Sequence, residues 1–79
     1  MRNEVVYASG EEIKKLVEPL KVMVFNGYKY YLTDEELGRL EDTKTYVIFQ
    51  RYGMLFIKPL HGEKSVIVKR GEKIPKKRE

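Results

Sequence analysis

The chain has 79 residues, room for one domain with one modest core. It carries no cysteine and one histidine, which excludes a disulfide scaffold, a thiol nucleophile, a cysteine-ligated metal and a multi-histidine metal site within one chain. The formal charge of +4 is unevenly placed: residues 1–68 hold ten bases and ten acids, whereas residues 69–79 hold six bases and two acids.

The longest apolar runs, such as Val22 to Phe25 and Met54 to Ile57, are four residues. A bilayer-spanning helix needs about 20. No stretch has the length of a signal-peptide core, so a cytoplasmic address is expected. Lys and Glu are abundant while Asn and Gln are scarce, the bias of heat-adapted proteins.

Glu4 to Tyr7 is a short β-prone run. Ser9 and Glu12 then form a capping box, in which hydroxyl and carboxylate each take a free backbone N–H. Ile13, Leu16, Val17 and Leu20 follow at helical spacing. Pro19 disfavours helix at the residue before it, so the first helix stops near Glu18. Lys21 to Phe25 reads as a strand. Asn26-Gly27 is a strong signal for a type I′ hairpin turn, and Tyr28 to Leu32 is the return strand. Thr33 and Glu36 form a second capping box, with Leu32 and Leu37 placed as a hydrophobic staple. Asp34, Glu35 and Glu36 complement the positive end of the helix dipole. This second helix ends by Asp42. Three strands follow: Thr45 to Arg51, a turn at Tyr52-Gly53, Met54 to Lys58, a turn around His61 to Lys64, and Ser65 to Arg70.

The order is β-α-β-β-α-β-β-β, an α+β class. The expected architecture is a bent, mostly antiparallel sheet or small partly closed barrel with two short helices. Residues 1–70 make the globular domain, and residues 71–79 a basic, flexible tail. An echo runs through the chain: Tyr7 to Leu16 parallels Tyr31 to Leu40, offset by 24. It marks either a duplicated β-α-β unit or two independent uses of one capping pattern. Both crossovers are short for a parallel connection, which favours the second.

Three strands are apolar on both faces, through Val22/Val24 with Met23/Phe25, Tyr46/Ile48 with Val47/Phe49, and Met54/Phe56 with Leu55/Ile57. A sheet with one wet face alternates apolar and polar residues instead. Two short helices cannot cover the second face. Either the sheet curls on itself or another chain buries the remainder, which points to a homodimer.

Catalytic signatures are missing. There is no phosphate-binding glycine loop. His61 sits in a hairpin tip with Ser65 four residues on, without a carboxylate orienter or an oxyanion hole assigned to it. Asp34, Glu35, Glu36, Glu41 and Asp42 read as capping and solvated surface. No enzyme activity, metal or cofactor is expected.

Two features point to a ligand. Lys69, Arg70, Lys73, Lys76, Lys77 and Arg78 form a basic stretch suited to phosphates. Tyr28-Lys29-Tyr30-Tyr31, Arg51-Tyr52 and Phe56-Ile57-Lys58 interleave aromatics with cations, as single-strand binders do. The string Arg51 to Ile57 lacks the Arg-Gly start and aromatic alternation of the ribonucleoprotein sheet motif. The expectation is a small nucleic-acid-binding module for DNA or RNA. Tyr28, Lys29, Tyr30, Arg51 and Tyr52 would join the tail cations in the site. The alternative is a homo-oligomeric protein-interaction or regulatory module.

Overall fold

The computed structural model describes residues 4–62 and 64–75. Its elements are β1 (Val5–Ser9), α1 (Gly10–Val17), β2 (Val22–Phe25), β3 (Tyr28–Tyr31), α2 (Asp34–Gly38), β4 (Thr45–Arg51), β5 (Met54–Pro59), β6 (Val66–Val68) and β7 (Gly71–Lys73). The expected α+β order is present, with β7 added. The strands form two antiparallel sheets rather than one bent sheet: β1-β4-β5-β6 and β2-β3-β7. Neither closes into a barrel.

Local chemistry sets most boundaries. Both capping boxes form: the Ser9 and Thr33 hydroxyls accept from the N–H groups of Glu12 and Glu36, and those carboxylates accept from the cap N–H groups. Such caps each contribute about 1 kcal/mol. Helix α1 stops at Val17, one residue before the Glu18-Pro19 pair. Leu16 and Leu20 stay exposed, so only Ile13 and Val17 of the four-residue stripe enter the core. Both two-residue hairpin turns carry paired positive φ, at Asn26-Gly27 (51° and 81°) and Tyr52-Gly53 (56° and 74°). That is the type I′ geometry whose twist matches the flanking strands.

Strand β1 runs antiparallel to β4, from Val5 opposite Phe49 to Ser9 opposite Thr45. It does not pair with β2, so the echo offset by 24 reflects repeated capping chemistry and not a parallel β-α-β unit.

The core lies between the sheets. The first sheet contributes Ala8, Tyr46, Ile48, Leu55, Ile57, Val66 and Val68, the second Met23, Phe25 and Tyr30, and the helical segments Ile13, Val17, Leu37 and Leu40. Leu32, the staple partner of Leu37, is buried with them. Helix α1 docks through its first residues: the Gly10 N–H donates to the Lys44 carbonyl and the Glu11 N–H to that of Asp42. A Cβ on Gly10 would lie 2.1 Å from the Glu41 carbonyl oxygen, a backbone atom with little room to move.

Strand β7 lies inside the segment expected to be a tail. Its residues Gly71, Glu72 and Lys73 pair with Tyr30, Lys29 and Tyr28. Glycine permits this approach, because a Cβ at 71 would sit 2.6 Å from the Tyr30 ring. Lys76, Lys77 and Arg78 lie outside the described residues.

Two substitutions test this arrangement by urea unfolding. Gly10→Ala is expected to lower unfolding free energy by about 1–3 kcal/mol through overpacking against a fixed carbonyl. Gly38→Ala is the control, because a Cβ there meets nothing within 4 Å. Equal midpoints for the two variants would contradict the close docking of α1.

Candidate nucleic-acid interface

The outer face of the β1-β4-β5-β6 sheet follows from its register. Val5 stands opposite Phe49, Phe49 opposite Phe56, and Phe56 opposite Ile67. Facing residues share a side, so these four form one apolar row across all four strands. Beside it, Tyr7 stands opposite Val47 and Val47 opposite Lys58. On the other side, Arg51 stands opposite Met54. Lys69 lies one residue past β6.

No described element covers this face. Val5, Tyr7 and Ile67 are exposed, Tyr7 at 63%, while Val47, Phe49, Met54 and Phe56 are half-buried. The Phe49 and Phe56 rings stack with centroids 5.2 Å apart and planes 5° from parallel. The Arg51 guanidinium carbon stands 5.9 Å from the Phe49 centroid, within cation–π range.

The charged strand residues of the face are all cations, with Glu4 at its Val5 end. Arg51, Lys58 and Lys69 make no ion pair among the described residues. None of the described strand residues on the face is acidic. Six other cations are engaged, Lys14 with Asp42, Lys15 with Glu11, Lys21 with Asp34, Arg39 with Glu35, Lys44 with Glu41 and Arg70 with Glu36, while Lys29, Lys64 and Lys73 make no ion pair among the described residues.

The residues expected from sequence do not converge. Tyr30 is fully buried, which removes it as a stacking platform. Its hydroxyl donates to the Gly53 carbonyl at 2.9 Å and accepts from Gln50 Nε2 at 2.7 Å. Tyr28 is half-buried against the core and stacks on Tyr30 at 5.9 Å. Lys29 lies on the outer side of the other sheet, opposite both Val24 and Glu72. Lys73, exposed, stands opposite Tyr28 on edge strand β7. Tyr52 projects from the β4–β5 turn. Only Arg51, and Lys69 at its border, belong to the aromatic face. Sequence reasoning noted Phe56 with Lys58 but missed Tyr7 and Phe49 as their neighbours, and the available signal was the cation two residues beyond each phenylalanine. On a strand Phe49 shares a face with Arg51, and Phe56 with Lys58, which marks that face as wet.

Arg70 is committed to structure. It pairs with Glu36 and donates through Nε to the Tyr31 carbonyl, tying the approach to β7 to α2. Burial pushes the Glu36 carboxyl up, but the Thr33 N–H and the Arg70 guanidinium outweigh it and hold the group below its ordinary value of 4.5. On the rim of the second sheet, the Tyr31 hydroxyl donates to Glu72, which raises the phenol above 10.0.

A further open groove is lined by Arg39, Glu41, Lys44, Lys64 and Ser65. Its Arg39, Lys44 and Glu41 are already paired. Among the described residues, no three His, Asp or Glu side chains converge as metal ligands do, and no helix is long and apolar enough to cross a membrane.

No protein-family model, curated protein or solved structure matches the chain. The site therefore rests on its own geometry.

The Glu36–Arg70 contact has a pH signature. A carboxyl held below 4.5 contributes stability that is present above that pH and lost as pH falls through the folded-state value. Melting temperature should fall on acidification below about pH 4.5, and Glu36→Gln should shrink that slope while lowering stability at pH 7. An unchanged slope in Glu36→Gln would exclude this carboxylate as its source.

Proposed function

We propose that the protein is a small non-enzymatic module that binds single-stranded nucleic acid on the outer face of the β1-β4-β5-β6 sheet. The observation that carries this reading is the uncovered row Val5–Phe49–Phe56–Ile67, with two stacked phenylalanines, bordering cations and no acidic residue on the strands themselves, Glu4 standing at the Val5 end. A ligand for such a face must be flat and apolar in part and anionic in part. An unpaired polynucleotide has both properties. Duplex DNA hides its base faces, and a flat sheet enters neither groove deeply.

Each group has a role in this reading. Tyr7 and Phe56 offer ring surface to bases, at about 1–3 kcal/mol per stacked base. Phe49 supports Phe56 from below the stack, and Arg51 packs along it while its charge faces a phosphate. Lys58 and Lys69 border the same track. Lys76, Lys77 and Arg78 follow in sequence and add phosphate contacts without base preference. Binding holds the strand in place and involves no covalent step. The cytoplasmic address and heat adaptation suggested by composition fit such a role.

Burial of Tyr30 moves the site from the tyrosine strand to the phenylalanine pair. A second reading, docking of an acidic protein segment, draws on the same face and charge.

Fluorescence anisotropy with labelled oligothymidylate, oligouridylate and a duplex, at about 50 to 300 mM salt, separates these readings. Single strands should bind better than duplex, with the logarithm of affinity falling by about 0.7 per phosphate neutralised for each decade of salt. Tyr7→Ala and Phe56→Leu should each weaken binding at least about fivefold. Arg51→Gln and Lys58→Gln should lower the salt slope. No binding to any oligonucleotide at 50 mM salt would overturn the proposal and favour a protein ligand. Binding that ignores Tyr7→Ala and Phe56→Leu would overturn the assignment to this face.

A further inference from the structure

Strand β1 is an edge strand, and its outer edge is unpaired in the described structure. The phase of its ladder is fixed by the bond from the Gly10 N–H to the Lys44 carbonyl. Antiparallel pairs alternate between bonded and non-bonded, so in this register Ala8 and Val6 bond to β4. The N–H and C=O groups of Val5 and Tyr7 then point away from the sheet. The Ser9 N–H is taken by Glu12.

Natural edges are blunted by lysine, proline, bulges or a covering element. Among the described residues, this one has none of them. Val5-Val6-Tyr7-Ala8-Ser9 is uncharged, and each β1 residue has one β4 partner in unbroken register. Beside the edge runs an apolar groove between β1 and α1, lined by Val6, Tyr7, Ala8, Glu12, Lys15 and Leu16. Leu16, on the α1 side of this groove, is 66% exposed.

We infer that β1 pairs antiparallel with β1 of a second copy, Val5 of each chain opposite Tyr7 of the other. This register is selected by the free groups. A two-fold axis beside Val6 brings Val5 and Tyr7 of each chain into bonded pairs and makes four hydrogen bonds. A two-fold beside Tyr7 would instead ask for the capped Ser9 N–H. Val6 then faces its own copy, and the apolar groove with Leu16 closes against its equivalent. Charge favours a copy at this edge: the strand is neutral, so two copies meet without repulsion. The sheet face, by contrast, would set Arg51 and Lys58 against themselves. The pairing joins two four-stranded sheets into one of eight and sets two aromatic rows side by side.

The test needs no nucleic acid, so it stands apart from the binding proposal. Sedimentation velocity over a wide concentration range should show the mass rising from 9.4 kDa toward twice that value. Amide exchange by NMR should show Val5 and Tyr7 slowing at least about tenfold as concentration rises, with Val6 and Ala8 protected throughout. Tyr7→Pro deletes an outward N–H on an edge strand, where proline is tolerated. It should stay monomeric while Val6 and Ala8 remain protected. A wild-type monomer at every concentration would overturn the inference. So would a dimer in which Val5 and Tyr7 exchange freely, or a Tyr7→Pro protein that dimerises as the wild type does.

Discussion

The hydroxyl of Tyr30 is the contact on which the arrangement of the two sheets depends. The residue belongs to β3 of the three-stranded sheet, yet its side chain crosses the core to the β4–β5 hairpin of the other. There it donates to Gly53 and accepts from Gln50. Gln50 in turn accepts from Asn26 at 2.6 Å, so the two type I′ turns are linked through one chain of hydrogen bonds. Removing one partner from such a set leaves the others unsatisfied, which costs more than a single bond contributes. The same ring has Gly71 against it, so the position of β7 also follows from where Tyr30 lies.

This geometry turns the rings of Tyr28 and Tyr30 away from the surface. Once Met23, Phe25, Tyr28 and Tyr30 turn inward together, the outer side of β2 and β3 is left with Val22, Val24, Lys29 and Tyr31. Glu72 meets both Tyr31 and Lys29 there, by a hydrogen bond to the first and a cross-strand position opposite the second. That side is balanced in charge and carries one phenol on its rim. The other sheet is different. Its inner face is consumed by Ile48, Leu55, Ile57 and Val68, and its outer face keeps phenylalanines with no layer above them among the described residues. The two-sided apolar strands therefore share one explanation. In β2 one side, Met23 and Phe25, is core, and Val24 on the other is exposed. In β4 and β5 likewise one side is core and no described element covers the other.

Short-range chemistry was legible in the sequence. The capping boxes, the Asn26-Gly27 turn and the span Thr45–Arg51 depend on neighbours a few residues apart, and all are as the sequence implies. The side of β3 that faces the core was readable too, through Lys29: its charge marks the wet side and assigns Tyr28 and Tyr30 to the other. What was not legible depends on contacts between distant segments. Gly71 looks like the end of the domain, because glycine breaks a strand pattern. Its reason is a ring 41 positions earlier, by the numbering of the two residues. Division into two sheets is likewise invisible locally, since each hairpin reads the same whichever neighbour it finds. Leu16 and Leu20 fit a helical stripe, but the helix ends before Leu20 and the core is already filled at Leu16.

The charge excess of the sequence is sharpened by this structure. Most cations of the body are neutralised where they stand, Arg70 among them. Arg51, Lys58 and Lys69, bordering the phenylalanine face, have no ion pair among the described residues. Self-repulsion among Arg51, Lys58 and Lys69 is tolerated at little cost in water, because separated surface charges are screened within about 8–10 Å at ordinary ionic strength. Their arrangement raises the local attraction for anions just where ring surface is open. In the proposed reading, a neutral edge at β1 and a cationic face on the same sheet would divide the labour between two kinds of contact. The edge would accept another strand through backbone groups that any sequence has. The face would select by side chain, and a strand-paired dimer would present two such faces on one continuous surface. A polymer long enough to cross both would be held at an effective concentration set by the short distance between them, so affinity for long strands would exceed that for short ones without any new contact.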